Sequence, residues 1–124
     1  MASLIHTCYR ITDIERSVAF YERLGFERRR DMTLPDGAIN QFMGMPGDGD
    51  QLELTWNPGV ESYDLGTGYG HIALAVEDLD GTLAGLAADG IEPERPPYTV
   101  SAGGSRLCFV RDPDGYRIEL IERR

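Results

Sequence analysis

The sequence predicts an α+β protein built from two copies of one β-α-β-β-β module. Three features recur at a spacing of 65 or 66 positions: a strand that begins with histidine, a helix between an aspartate cap and a closing glycine, and a late strand with a glutamate. The recurring pairs are His6 and His71, Asp13 and Asp78, Gly25 and Gly90, and Glu53 and Glu119. One module is too small to bury a core alone, so we expect the two copies to pair. We therefore predict a single domain over residues 1–124, with module 1 at about 1–58, a connector, and module 2 at about 67–124.

Module 1 is predicted to contain four strands and one helix. Its strands alternate apolar and polar residues between turn signals. They cover residues 5–11, 26–32, 38–44 and 51–57. We expect the second strand to be exposed because it contains three consecutive arginines, Arg28–Arg30. The helix covers residues 14–24, with Asp13 as its N-cap and Gly25 just after its C-terminal end.

Module 2 is predicted to repeat this plan. Its strands cover residues 71–76, 98–101, 106–110 and 116–121. The helix runs from Leu79 to about Asp89, with Asp78 as its N-cap and Gly90 as its stop. A hairpin turn at Asp112–Gly115 joins the last two strands. The first strand has a histidine followed by two alanines on one face, which is typical of a pocket wall.

Four polar side chains are predicted on the strand faces turned away from the helices. They are His6, Glu53, His71 and Glu119. Imidazole suits Zn, Ni, Co and Fe, while carboxylates favour harder, more highly coordinated ions. Two nitrogens and two oxygens leave two positions of an octahedron for water or substrate oxygens. The alternative is that the histidines are structural and the glutamates face solvent, but burying two carboxylates without a cation would be costly. We therefore predict a metal site.

Three further residues near these positions have alternative interpretations. Arg10 lies on the same strand face as His6, where it would either bind an anionic substrate group or pair with a carboxylate. Cys8 lies between them and is favoured as a small apolar filler over a metal ligand or reactive thiol. Glu122 falls on the face opposite to Glu119, and we expect it to be a surface charge.

Composition excludes several functions. The net charge of −9 argues against a nucleic-acid partner, whose affinity comes largely from Lys and Arg. All 12 basic residues are Arg, so lysine-dependent chemistry is excluded. No apolar run has the length of a membrane span and the first residues lack a secretory leader, so we expect a cytoplasmic protein without a membrane partner. Cys8 and Cys108 lack a C-x-x-C spacing and are expected to be free thiols.

Four motifs resemble glyoxalase I (lactoylglutathione lyase) of the vicinal-oxygen-chelate superfamily. The motifs follow the family's order, cover nearly the whole chain, and are Ile5–Thr7 with Arg10, Leu52–Asn57, Tyr69–Ala73 and Asp112–Leu120. The resemblance implies the vicinal-oxygen-chelate (glyoxalase/bleomycin-resistance/dioxygenase) fold. It places the family's metal ligands at His6, Glu53, His71 and Glu119. It also implies a homodimer in which the first two ligands of one subunit meet the last two of the other. A histidine rather than a glutamine at position 6 is similar to the bacterial class activated by nickel or cobalt rather than zinc.

The family's reaction converts the hemithioacetal of methylglyoxal and glutathione into S-D-lactoylglutathione through an enediolate, and it detoxifies methylglyoxal. A divalent ion with two open positions stabilises the developing charge as a Lewis acid. A carboxylate takes the proton from one carbon and returns it to the next. By resemblance Glu119 and Glu53 flank the substrate, and we interpret Glu119 as the principal base. The implied thiol-binding and substrate-lining residues are Arg10, Asn57, Leu107 and Phe109.

One departure from the family leaves the thiol open. Many short relatives carry Lys before the Gly-Gly of a mobile loop, where this chain has Ala102. The glycine carboxylate of glutathione then loses a partner unless Arg106 or Arg95 replaces it, so the co-substrate is glutathione or another low-molecular-weight thiol.

Three other classes of protein with this fold remain as alternatives. An acyl-CoA epimerase would need more positive charge for the nucleotide phosphates. A thiol transferase that opens an antibiotic epoxide would leave the second glutamate unexplained. A metal-free resistance protein that binds small molecules would need none of the ligands.

Overall fold

The structure is a computed structural model, and it describes residues 1–123. The chain forms two compact units, of which the first covers Met1–Asp64 and the second begins at Leu65. Each unit contains one helix and one sheet, which confirms the α+β class. The prediction that the two modules form a single domain stays a prediction. Within the described residues, no helix has the length and apolar character needed to cross a bilayer.

The first unit has the predicted β-α-β-β-β order. Its elements are β1 (Thr7–Ile11), α1 (Ile14–Arg23), β2 (Glu27–Thr33), β3 (Ile39–Gly44) and β4 (Leu52–Trp56). The sheet has the order β1-β4-β3-β2, in which β1 is parallel to β4 and the other pairs are antiparallel. Tyr9, Ile11, Leu52 and Leu54 are buried, so the apolar faces of β1 and β4 are those expected from alternation. The edge strand β2 is exposed along nearly its whole length, as its arginines predicted.

Helix α1 begins and ends where the sequence indicated. The Asp13 side chain accepts a hydrogen bond from the Arg16 backbone N–H at 3.0 Å. Gly25 has φ +106°, the left-handed conformation that closes a helix and that other residues adopt only with strain. Val18 and Tyr21 are fully buried, whereas Ile14 in the first turn is only half-buried.

The second unit has one strand fewer than predicted. Its elements are β5 (Ile72–Val76), α2 (Leu79–Ala88), β6 (Leu107–Arg111) and β7 (Arg117–Glu122), and the sheet order is β5-β7-β6. The predicted strand 98–101 is wrong, because only Tyr98 forms an isolated bridge, with Leu107. Pro96 and Pro97 lack N–H groups and therefore stop the ladder from extending to the N-terminal side of Tyr98. The chain then turns, with the Gly104 N–H donating to the Ser101 carbonyl at 3.0 Å.

Glu122 has a different role from the one expected. Its side chain is only 9% exposed, and its carboxylate accepts a hydrogen bond from the Leu79 backbone N–H at 2.9 Å. The prediction of a surface charge is therefore wrong. A helix N-terminus has unsatisfied N–H groups and a partial positive charge, which favour a carboxylate. Glu122 at the end of β7 thus stabilises the first turn of α2, together with the N-cap Asp78.

Candidate metal centre

His6 and Glu53 lie side by side on the open face of the first sheet, opposite to the buried side chains of β4. Strand β1 pairs with β4 so that Cys8 lies opposite Glu53, and His6 precedes Cys8 by two residues and therefore shares its face. The distance from His6 Nε2 to Glu53 Oε2 is 2.8 Å. The two side chains are 34% and 17% exposed. A nitrogen and an oxygen donor are therefore adjacent and accessible from the open face.

His71 and Glu119 form the same pair in the second unit. Strand β5 pairs with β7 so that Ala73 lies opposite Glu119, and His71 precedes Ala73 by two residues. The distance from His71 Nε2 to Glu119 Oε1 is 3.3 Å, and the side chains are 39% and 16% exposed. The histidine and glutamate of each unit thus occupy equivalent places in an equivalent register.

The distances within the pairs fit ligands of one ion. Two neighbouring ligands at about 2.0–2.1 Å from a metal and about 90° apart are separated by about 2.9 Å. The separations of 2.8 and 3.3 Å are close to that value. Within residues 1–123, however, no group of three or more His, Cys, Asp or Glu side chains could hold an ion. Each pair by itself therefore offers one nitrogen and one oxygen donor.

A phenylalanine accompanies each pair. Phe42 on β3 lies opposite Glu53 and packs edge-to-face with His6, with ring centroids 5.9 Å apart. Phe109 on β6 lies opposite Glu119 and packs in the same way with His71, at 5.1 Å. Phe42 was not among the residues predicted from the sequence. Its signal was the repeat itself, since Phe42 and Phe109 are 67 positions apart.

Cys8 belongs to a polar row on the open face of the first sheet. Its Sγ lies 3.3 Å from Thr55 Oγ1, and the Thr55 hydroxyl donates to Asn40 Oδ1 at 2.8 Å. Cys8 is exposed in the chain, so it does not act as a buried filler within this unit. Partial burial of the thiol is the main cause that raises the pKa of Cys8, and the nearby Glu53 charge adds to it. The prediction of two free thiols is confirmed for Cys8 and Cys108.

The chain is similar to known proteins over nearly its whole length. Residues 3–120 match the family model described as the Glyoxalase/Bleomycin resistance protein/Dioxygenase superfamily. The chain belongs to this superfamily. The resemblance inferred from the four sequence motifs is thereby confirmed.

Relatives in this superfamily include lactoylglutathione lyases. The lactoylglutathione lyase of Salmonella typhimurium is 40% identical over 125 residues, which cover 98% of this chain and 93% of that protein. A lactoylglutathione lyase of Arabidopsis thaliana is also 40% identical, over 123 residues that cover 96% of this chain and 44% of that protein. The chain thus spans less than half the length of the plant relative.

Solved structures in the superfamily have the same fold. Glyoxalase I from Zea mays superposes with a TM-score of 0.88 at 35% identity, covering 97% of this chain and 44% of that chain. Glyoxalase I of Leishmania major, described as trypanothione-dependent, superposes with a TM-score of 0.82 at 37% identity, covering 98% of this chain and 87% of that chain.

Three of the four residues predicted to bind substrate lie on the strand faces of Glu53 or Glu119. Arg10 pairs in register with Thr55 on the face of Glu53. The Asn57 side chain donates from Nδ2 to the Tyr63 hydroxyl at 3.0 Å, a contact that the sequence did not indicate. Leu107 is buried and Phe109 half-buried, on the face of Glu119. Their roles in binding stay predictions.

The two arginines considered as replacements for the missing lysine have different surroundings. Arg106 forms an ion pair with Asp80 of α2 at 2.9 Å and lies 3.6 Å from Glu122. The guanidinium of Arg95 instead packs over the ring of Tyr98, 3.6 Å from its centroid. Tyr98 pairs with Leu107 and therefore shares the face of Glu119. Of the two, Arg95 lies on the side of Glu119.

Glu94 lies in an ion-pair cluster beside the Glu119 strand. It accepts hydrogen bonds from Arg117 at 2.8 and 2.9 Å and forms an ion pair with Arg111 at 3.2 Å. The Arg117 hydrogen bonds are the main cause that lowers the pKa of Glu94. Because its pKa is lowered in the folded state, this carboxylate stabilises the fold at pH values above its ordinary pKa of about 4.3. That contribution is lost as the pH falls through the lowered pKa.

We expect Glu94→Gln to reduce the free energy of unfolding at pH 7 by about 0.5–1 kcal/mol, a small loss because the pair remains in contact with solvent. The difference in the free energy of unfolding between this variant and the unmodified protein should shrink toward zero near pH 2. Urea titrations of both proteins between pH 7 and pH 2 measure it, with the exposed Glu92→Gln as a matched control that should change little. A difference independent of pH would contradict this role for Glu94.

Proposed function

We propose that this chain is a lactoylglutathione lyase that converts the hemithioacetal of methylglyoxal and a low-molecular-weight thiol into the S-D-lactoyl thioester. The observation that carries the proposal is the repeated histidine–glutamate pair, with Nε2-to-oxygen distances of 2.8 and 3.3 Å in equivalent registers. The full-length similarity to the Salmonella typhimurium lactoylglutathione lyase supports it. We place the protein in the cytoplasm.

The centre is proposed to assemble in a homodimer. Each unit carries one nitrogen and one oxygen donor, which is half of the predicted ligand set. In our proposal His6 and Glu53 of one subunit join His71 and Glu119 of the other. Because a two-fold dimer repeats every contact, it has two such centres.

The chain's own residues then hold and move the proton. Glu119 takes the proton from the carbon next to the carbonyl and returns it to the adjacent carbon. Glu53 lies on the other side of the substrate. A divalent ion, when bound, supplies Lewis-acid stabilisation of the charge on two neighbouring oxygens. Leu107 and Phe109 cover the apolar part of the substrate and exclude water, while Arg10 and Asn57 bind the polar end of the thiol.

The metal and the thiol are the finer parts of the proposal. Histidine at position 6 favours nickel or cobalt over zinc. Glutathione is the first candidate thiol, with Arg95 rather than Arg106 in place of the missing lysine, because Arg106 is paired with Asp80. One structural neighbour is described as trypanothione-dependent, which supports a test with several thiols.

Metal removal tests the proposed function. We expect dialysis against a chelator to abolish thioester formation from methylglyoxal and thiol, and we expect nickel or cobalt to restore it better than zinc. The assay follows thioester absorbance with glutathione and with other low-molecular-weight thiols in parallel. Thioester formation by protein that contains no metal would contradict the proposal, and so would the absence of thioester with every thiol and metal.

A further inference from the structure

We infer that Phe42 and Phe109 are positioning residues that fix the rings of His6 and His71, and that Arg30 and Arg117 hold these phenylalanines in place. The inference rests on the proposed function, because it concerns ligands of the same centre. Its basis is a chain of contacts that occurs once in each unit: carboxylate, guanidinium, phenyl ring and imidazole ring.

In the first unit the contact chain starts at Asp50. The Arg30 Nε donates to Asp50 Oδ2 at 3.2 Å, and the guanidinium carbon of Arg30 lies 4.1 Å from the centroid of Phe42. Phe42 is only 3% exposed, so its ring is held by surrounding side chains. The rings of Phe42 and His6 meet at an interplanar angle of 74°. Cation–π and edge-to-face contacts are both favourable at these distances.

In the second unit the contact chain starts at Glu94. Arg117 donates two hydrogen bonds to the Glu94 carboxylate, and its guanidinium carbon lies 4.0 Å from the centroid of Phe109. The rings of Phe109 and His71 meet at 80°. The same four chemical groups are therefore in contact in the same order.

The two contact chains are built from positions that do not all correspond. Phe42 and Phe109 are equivalent, since each lies opposite the glutamate of its pair. Arg30, however, lies on the edge strand β2, whereas Arg117 lies on β7. Duplication of a module would place the two arginines at equivalent positions. The two arginines occupy non-equivalent positions, yet each packs on the phenylalanine of its unit. Duplication alone therefore does not explain this contact, which indicates that the contact has a function.

The function follows from how a histidine presents its nitrogen. Rotation of the imidazole about its second side-chain torsion is soft, so a ring on an exposed strand end needs a neighbour that limits it. An edge-to-face phenylalanine limits the rotation without competing for Nε2. Residues that orient metal ligands from outside typically change metal affinity by roughly 10- to 100-fold when replaced.

Arg117 and Arg30 should not contribute equally to holding the phenylalanines in place. Arg117 is 35% exposed and makes two hydrogen bonds to its carboxylate, whereas Arg30 is 61% exposed and makes one to Asp50. Phe109 is thus held more firmly than Phe42 on the arginine side. Replacing Arg117 is therefore expected to have the larger effect.

The experiment measures nickel affinity by competition with a chromophoric chelator, and the visible spectrum of the cobalt-loaded protein, both without substrate. We expect Phe42→Leu and Phe109→Leu to weaken nickel binding about tenfold or more and to change the cobalt spectrum. The matched control is Phe26→Leu, because Phe26 is 5% exposed and packs edge-to-face with Tyr21 rather than with a histidine. It should lower the melting temperature but leave affinity and spectrum unchanged.

Surface variants decide the inference even if a leucine variant fails to fold. Arg117→Gln should weaken nickel binding several-fold, and Arg30→Gln less. Arg28→Gln is the matched control, since Arg28 also holds a glutamate, Glu15, by two hydrogen bonds but packs on no ring of these contact chains. Unchanged affinity and spectrum in Arg117→Gln and in the folded leucine variants would overturn the inference alone. Failure of the unmodified protein to bind nickel or cobalt would overturn both the inference and the proposed function.

Discussion

Replacing Glu119 with glutamine is expected to lower kcat at least 100-fold, while the fold persists. Glutamine keeps the size of the side chain but cannot accept the substrate proton, and a positioned general base contributes about 10²–10⁴ in rate. Glu119 lies on the open face of the sheet, where its side chain is 16% exposed and 3.3 Å from His71 Nε2. Its replacement should therefore reduce activity without disturbing the core. Turnover, metal content and circular dichroism of the purified variant measure these effects.

Glu122→Gln is the matched control for this prediction. Glu122 lies on the same strand but holds the first turn of α2 through the Leu79 N–H. Its replacement should reduce the free energy of unfolding and leave kcat nearly unchanged. Glu53→Gln, in the equivalent position of the first unit, indicates which glutamate is the principal base. Normal turnover in Glu119→Gln would refute the assignment of that role to Glu119.

Mixing two inactive variants is expected to restore about a quarter of the activity. The first variant carries His6→Ala with Glu53→Gln, and the second carries His71→Ala with Glu119→Gln. Random reassortment makes about half of the dimers mixed, and in a two-fold dimer with shared sites each mixed dimer has one centre with all four ligands intact. Unfolding and refolding of an equimolar mixture, followed by the thioester assay, measures the recovery.

The arithmetic of this experiment separates two arrangements of the centre. If all four ligands came from the same chain, every chain in the mixture would still lack two of them, and no activity would return. Each variant refolded alone is the control and should stay inactive. Recovery near a quarter supports the shared centre, whereas none would contradict it.

The strand faces of the two histidines and two glutamates could be predicted from sequence because strand alternation is a strict local rule. Once His6 and Glu53 are assigned to strands, their faces follow, and the parallel pairing of β1 with β4 brings them together. The caps Asp13 and Asp78 were predicted for the same reason, since a helix start needs a local acceptor. The second copy of the module supported the strand and cap assignments, because the same residue types recur in it at equivalent positions.

Contacts between distant parts of the chain could not be predicted in this way. Glu122 was expected to be a surface charge because strand alternation predicts which face the side chain is on. Alternation does not predict that the start of α2 lies on that face. Phe42 was overlooked because the only signal for it was its correspondence to Phe109 in the repeat, and an apolar residue on a strand does not by itself indicate a histidine contact. The missing strand after Pro97 reflects a competition between β propensity and the turn that begins at Ser101, which a count of apolar residues does not capture.

The division of the donors into two pairs, one in each unit, has a consequence for the cell. If the pairs meet only across a dimer, a lone protomer is catalytically silent. At concentrations below the dissociation constant of the dimer, the number of working centres then grows with the square of the number of chains. Expression level would therefore act as a steep control on the rate at which the reactive aldehyde is cleared.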